Sequence, residues 1–229
     1  MRQFSVHDVE QRTPEWFTLR AGRVTGSVAY EAITPRKKGS DELAARRDLR
    51  FQIALERVTG VPQPRYVFEN ADTKRGKELE PAALAAYEQQ TALVVKRIGF
   101  VSHDMLPIGY SPDGVIDDFM GLVEVKAPRP RMHLDYLEQP QIHEKHRLQA
   151  LHGMFVTEAS WCDFVSFCPD FPIPLLIRRY TPTTQERLVY EMALRIFLEE
   201  CDKEEAALRE RLVRVRGCEF TSDCHRRFI

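Results

Sequence analysis

Residues 111–128 read Ser-Pro-Asp-Gly-Val-Ile-Asp-Asp-Phe-Met-Gly-Leu-Val-Glu-Val-Lys-Ala-Pro and bring together residue types that do chemistry. Asp113 stands in a Pro-Asp-Gly turn, Glu124 follows after ten residues, and Lys126 after one more. Val115 and Ile116 leave the first turn as a strand, 117–121 supplies a second turn, and Leu122, Val123 and Val125 mark the returning strand. Strand side chains alternate faces, so Glu124 and Lys126 share one face while Val123 and Val125 take the other. The hairpin therefore carries an Asp, a Glu and a Lys to a common point. Mg²⁺ is commonly held by one or two carboxylates plus water and substrate phosphate. Asp113, Glu124 and the Val125 carbonyl are candidate ligands, and Lys126 can orient a water or offset charge on a phosphorane. The expected chemistry is phosphodiester hydrolysis. The plainer alternative is a surface hairpin of solvated charges.

Other residues can extend this site. Glu80, on an expected helix ahead of the strands, can complete a metal site from the other side, or it can be a solvated helix residue. Arg20, Ser27 and Ser111 offer the bidentate charge and hydroxyls that suit a terminal phosphate. A helix beginning near Thr25–Ser27 would add amide donors. Arg129 and Arg131 follow the Lys-Ala-Pro segment closely enough to face the same cleft, or stand in solvent. His133, His143, His146 and His152 fit no metal-ligand pattern and are expected at the surface or near DNA. No Gly-Lys-Ser/Thr phosphate loop and no Gly-x-Ser-x-Gly occurs, so ATP hydrolysis and α/β-hydrolase chemistry are unsupported.

The elements that must position these residues follow from patterning. Thr13-Pro-Glu opens a helix with an N-cap, a first-turn proline and an acidic residue, and 21–23 breaks it. A second helix is expected from Thr25, followed by a basic loop at 35–39. Residues 41–59 form an amphipathic helix ended by Gly60, and 61–66 link it to a helix over 70–90 that Pro81 kinks or restarts. Residues 92–102, 161–167 and 175–180 read as strands. Residues 131–157 are helical with a break at Pro140, and 183–216 is a long charged helix. The expectation is one α/β domain over 1–229, a central mixed sheet flanked by helices.

Composition agrees. The chain has 229 residues, 43% hydrophobic and 29% charged, ordinary for a globular protein with a real core. Its formal charge of −1 excludes coating of nucleic acid by bulk charge, so any basic contact must be local. No apolar run is long enough to span a membrane, and the first residues show no signal-peptide pattern, so a cytoplasmic protein is expected. Five cysteines without a Cys-x-x-Cys pair argue against zinc; Cys218, Cys224 and His225 form only a loose cluster.

Five segments in order resemble the lambda exonuclease family (the YqaJ-type viral recombinases) within the PD-(D/E)xK nuclease superfamily. They are Trp16-Phe-Thr-Leu-Arg20-Ala-Gly-Arg-Val-Thr25-Gly-Ser27, Gly76-Lys-Glu-Leu-Glu80, Ser111-Pro-Asp113-Gly, Glu124-Val-Lys126-Ala-Pro and the helical Gln149. Leu151 stands where the family carries a second helical glutamine. The resemblance implies a restriction-endonuclease-like core. It implies a Mg²⁺-dependent, processive 5′→3′ exonuclease on double-stranded DNA that releases mononucleotides and leaves a 3′ strand for annealing. It further implies two metal ions, with Mn²⁺ a possible substitute, a homotrimeric ring and a single-strand annealing partner. By position, Asp113, Glu124 and the Val125 carbonyl would hold metal and Lys126 would place the water. Glu80 would assist a second metal, and Gln149 would lie beside the nucleophile. Arg20, Ser27, Ser111 and either Arg131 or Arg129 would grip the 5′-phosphate. Another nuclease of the superfamily, or an inactive DNA-end adaptor, are the competing readings.

Overall fold

The computed structural model describes residues 2–34, 42–63 and 71–219, with side chains of the last helix to residue 215. The expected basic loop at 35–39, residues 64–66 of the 61–66 linker, and the Cys218 side chain with Cys224 and His225 lie outside the described residues.

Among the described residues, eight strands and seven α-helices follow one another. β1 (Phe4–His7), α1 (Pro14–Arg20) and β2 (Val24–Thr25) lead into a single 3-10 turn (Gly26–Val28) and the short α2 (Ala29–Ile33). Then come α3 (Ala44–Thr59), α4 (Ala71–Thr91), β3 (Phe100–His103), β4 (Ile108–Tyr110), β5 (Gly114–Ile116) and β6 (Gly121–Lys126). α5 (Pro130–Glu138), α6 (Glu144–Thr157), β7 (Trp161–Phe167), β8 (Leu175–Tyr180) and α7 (Thr184–Glu219) complete the chain.

The mixed α/β architecture is the expected one, but its strands divide into two four-stranded sheets, β1-β3-β4-β2 and β5-β6-β7-β8. In the first, β2 runs parallel to β4 and the other pairs are antiparallel. In the second, β6 is antiparallel to β5 and parallel to β7. The strand expected over 92–102 shrinks to a bridge at Lys96, paired with Val115, and to β3.

β6 positions the site. Leu122 enters a core shared with Leu148, Leu151 and Met154 of α6. Val123 and Val125 enter a second core, with Ala83, Leu84 and Tyr87 of α4. Each such buried side chain contributes roughly 1.5–3 kcal/mol. A slip of one residue would exchange the two faces, so this double burial fixes the register that puts Glu124 and Lys126 on the α6 side.

Three local expectations change. α4 runs unbroken through Pro81. The expected second helix is only the 3-10 turn and five residues of α2, too little for a substantial dipole at Ser27. His133 and His152 are fully buried rather than at the surface. His133 bridges the Ser166 hydroxyl and the Ile173 carbonyl, and His152 bridges the Tyr190 hydroxyl and the Gly109 carbonyl, so each replaces its lost water contacts inside the core. No helix among the described residues is long and apolar enough to cross a membrane.

Candidate active site

The hairpin converges as its spacing predicts. Asp113 Oδ2 accepts the Val125 N–H at 2.7 Å, pinning the first turn to the end of β6. Glu124 is 1% exposed and its carboxylate takes three side-chain donors. Lys126 Nζ and Gln149 Nε2 each donate to Oε1 at 2.5 Å, and the Tyr110 hydroxyl donates to Oε2 at 2.6 Å. A carboxylate this buried is tolerable only because it is so well satisfied.

Burial and the nearby Glu124 push Asp113 up to about 8, against the pull of Lys126. Glu80 adds to the rise, which places it within electrostatic reach. Burial would lower Lys126, but Glu124 and Asp113 outweigh it and hold the ammonium above its ordinary value. Burial, then Glu124, push the Tyr110 phenol well above its usual range, so it stays a donor. Behind Lys126, His146 bonds the Tyr136 hydroxyl at 2.8 Å and stacks on Phe164. Burial first and Lys126 next push this imidazole down to about 3, leaving it neutral.

This donor set fits a hard cation. Two carboxylates meet at one buried point, where Glu124 helps to raise Asp113, and a divalent ion there would offset their charge. Among the described residues no three His, Cys, Asp or Glu side chains are grouped to hold a metal by themselves. The remaining ligands would be water, a backbone carbonyl and substrate oxygen, the usual habit of Mg²⁺. Glu80 is near but engaged: Arg97 holds it at 2.5 Å and Arg12 at 3.7 Å.

A second cluster forms beside the first. Arg20 donates to Ser111 at 3.2 Å, to Thr25 at 3.1 Å and to Ser27 at 3.5 Å. Its guanidinium lies 4.0 Å from the centroid of the Trp16 ring, and Trp16 Nε1 donates to the same Ser111 hydroxyl at 3.0 Å. α1 makes this possible: Thr13 caps it by accepting the Trp16 N–H, and Trp16 and Arg20 sit four apart on one face. Arg20, Ser27 and Ser111 are thus brought together as expected, with Thr25 as an added hydroxyl.

Arg129 and Arg131 are not drawn into this cluster by any contact. Both are exposed at the start of α5, and Arg129 instead donates to Asp72 at 2.5 Å. A separate hollow of about 360 Å³, lined by Arg47, Asp48, Arg50, Phe51 and Glu204, lies on α3 and α7 and carries no comparable chemistry, its charges being paired among themselves. The residue that sequence reasoning missed is Tyr110. Its only signal was its place directly before Ser111, and its acceptor Glu124 lies fourteen residues on.

Residues 15–160 match the YqaJ-like viral recombinase domain, a span holding every residue of both clusters. Among solved structures, an alkaline exonuclease from Laribacter hongkongensis aligns over 89% of this chain and 100% of its own, with TM-score 0.77 and 28% identity. The same enzyme in complex with dAMP aligns over the same shares, with TM-score 0.78 and 29% identity. A phage-related exonuclease from Haemophilus somnus 129PT shares the fold, with TM-score 0.64 over 81% of this chain and 96% of its own, at 11% identity. No curated protein sequence matches the chain. The helix-flanked mixed sheets are those of the PD-(D/E)xK nuclease fold. With more than half of its length matched, the chain belongs to the YqaJ-like viral recombinase family.

Proposed function

We propose that this protein is a Mg²⁺-dependent DNA exonuclease that degrades one strand of a duplex from its 5′ end, releasing mononucleotides and leaving a 3′ single strand for annealing. The observation that carries this reading is the joining of two clusters: Asp113, Glu124 and Lys126 at the end of the hairpin, and Arg20, Thr25 and Ser27 around Ser111. The likeness to alkaline exonucleases supports the reaction class.

Asp113, Glu124 and the Val125 carbonyl would hold the metal, with Glu80 recruited once it leaves Arg97 and Arg12. Bound Mg²⁺ supplies Lewis acidity and a more acidic water. Lys126 orients the attacking water and offsets charge on the phosphorane, and Gln149 holds Glu124 in place. Arg20 presents a fork of N–H donors to the terminal 5′-phosphate, assisted by the hydroxyls of Thr25, Ser27 and Ser111. Arg129 and Arg131, exposed at the start of α5, remain available to the DNA backbone after a modest rearrangement.

Attack on the first internucleotide phosphorus breaks its bond to the 3′ oxygen. A nucleoside 5′-phosphate leaves, and the shortened strand carries a new 5′-phosphate. Each product end is therefore the next ligand of the Arg20 pocket, which suits repeated digestion from one end. With a net charge of −1, the chain cannot retain DNA by bulk attraction. A homotrimeric ring around the duplex, in the host cytoplasm and beside a single-strand annealing protein, completes the proposal.

The test is a blunt linear duplex labelled at the 5′ or the 3′ end of one strand, digested with and without Mg²⁺. Mononucleotide release from the 5′ label, only with Mg²⁺ or Mn²⁺, is expected. Release from the 3′ label first, or cutting of a closed circular duplex, overturns the polarity or the exonuclease reading.

A further inference from the structure

We propose that Tyr110 is a positioning residue that joins the two halves of the site, aiming Glu124 on one side and supporting the Thr25–Ser27 loop on the other. This inference rests on the function proposed above. A carboxylate oxygen has about two lone-pair directions. On Glu124, Oε1 already accepts both Lys126 and Gln149, while among the described residues Oε2 accepts Tyr110 alone. The direction left for a cation is therefore on Oε2, and the Tyr110 hydroxyl decides where it points.

The ring does a second job. A Cβ built on Gly26 would come within 2.8 and 2.9 Å of Tyr110 Cδ2 and Cε2, and within 3.4 Å of Gln149 Cγ. A Cβ built on Gly153 would come within 2.6 Å of Cε1 and Cζ. Glycine at both places lets two backbones close on the two edges of one ring. Gly26 lies between Thr25 and Ser27, the hydroxyls that face Arg20. Gly153 lies one helical turn beyond Gln149 on α6. The residue after Tyr110 is Ser111, which receives both Trp16 and Arg20. One side chain thus touches the metal carboxylate, the phosphate loop and the glutamine helix. A phenylalanine would fill the same core volume. The hydroxyl aimed at Glu124 is what space-filling leaves unexplained.

The two jobs separate by substitution. In Tyr110→Phe the ring remains and the donor to Oε2 is lost. Outer-shell partners of metal ligands are typically worth about 10- to 100-fold in affinity, so Mg²⁺ binding by isothermal titration calorimetry on the protein alone should weaken by at least about tenfold. The ratio of digestion rates on 5′-phosphorylated and 5′-hydroxyl ends should stay at the wild-type value. In Tyr110→Leu both should fall. Gly26→Ala, which keeps Tyr110 and pushes the loop off its ring, should lower the end ratio and serves as the ring-side test if Tyr110→Leu does not fold, as judged by circular dichroism. Wild-type Mg²⁺ affinity in Tyr110→Phe, or an unchanged end ratio in folded Tyr110→Leu or Gly26→Ala, overturns the inference. A wild-type protein that leaves linear duplex intact overturns the proposed function instead, and the Mg²⁺ titrations still judge Tyr110.

Discussion

Lys126 and Asp113 stand on opposite sides of one electrostatic balance. The ammonium is stabilised by two carboxylates and donates to Glu124, so its removal leaves Glu124 a buried charge with one donor fewer. Lys126→Ala should lower hydrolysis by about a hundredfold or more, the scale of a lost positioned proton or charge partner. Binding of linear duplex, read by fluorescence anisotropy, should stay close to wild type. Turnover at the wild-type rate would remove Lys126 from the mechanism. A second residue-scale prediction concerns His152, which is fully buried and pushed down to about 4 by burial. Its folded pKa lies below that of an unfolded histidine near 6.5, so between those values the unfolded chain binds more protons. Stability is therefore complete above about pH 6.5 and falls as pH drops towards 4, by on the order of 3 kcal/mol from this group. The neutral ring donates from Nε2 to the Gly109 carbonyl, which a glutamine amide can imitate. Urea midpoints measured from pH 7 to pH 4.5 should fall less steeply in His152→Gln than in wild type; parallel slopes would show that another group carries the acid sensitivity.

Helices set where these residues can reach, and two of them invite tests. α1 is seven residues long, yet its cap and its four-residue spacing deliver Trp16 and Arg20 to Ser111. Arg20→Ala removes charge-assisted donors worth about 1.5–3 kcal/mol, so digestion of 5′-phosphorylated ends should slow by roughly ten- to a hundredfold. Ends carrying a 5′-hydroxyl should be little affected, and an equal loss on both would argue against a phosphate pocket. α3 and α7 meet through buried charge: Arg46 holds Glu42 and Glu200, each at 2.5 Å, and gives its Nε–H to the Ala32 carbonyl. Arg46→Ala leaves both carboxylates to Arg50 alone, which already pairs with Glu42 at 2.6 Å and Glu200 at 3.5 Å, and should cost about 1.5–3 kcal/mol in urea unfolding, while the folded variant keeps its turnover. What could be read from sequence at this scale was local. The Thr13 cap, the break near Pro140 and the Asp113–Glu124–Lys126 hairpin each rest on contacts within a few residues or within one hairpin. Tyr110, buried His133 and buried His152 escaped because their partners come from other elements. Pro81 escaped because an amide N–H missing inside a helix can be tolerated where one face of that helix, here Ala83, Leu84 and Tyr87, is packed on a sheet.

At the scale of the molecule, sheet membership was the least legible feature. β1 pairs with β3, and the two-residue β2 with β4, across most of the first half of the chain. Nothing in local alternation distinguishes one sheet from two when the pairing partner is that distant. The division matters for function. The Arg20–Ser111 cluster belongs to the first sheet and its helix α1, the Asp113–Glu124–Lys126 cluster to the second, and α6 packs against both. The two clusters lie where the sheets meet, so under the proposed function end recognition and cleavage would share one frame. A frame of this kind acts on whatever end is delivered to it, and with a net charge of −1 it has no broad field to keep that end nearby. If a ring of three chains retains the duplex by enclosing it, initial capture should weaken with salt while the length digested per encounter should not, because enclosure involves no counterion release. Adding excess unlabelled duplex after digestion has begun should leave ongoing runs intact at both 50 and 200 mM salt. Sedimentation should give about three times the 26.6 kDa chain mass. Runs that stop when competitor is added, or a species sedimenting as one chain, would mean that each nucleotide is removed in a separate encounter, with the Arg20 pocket alone choosing the end.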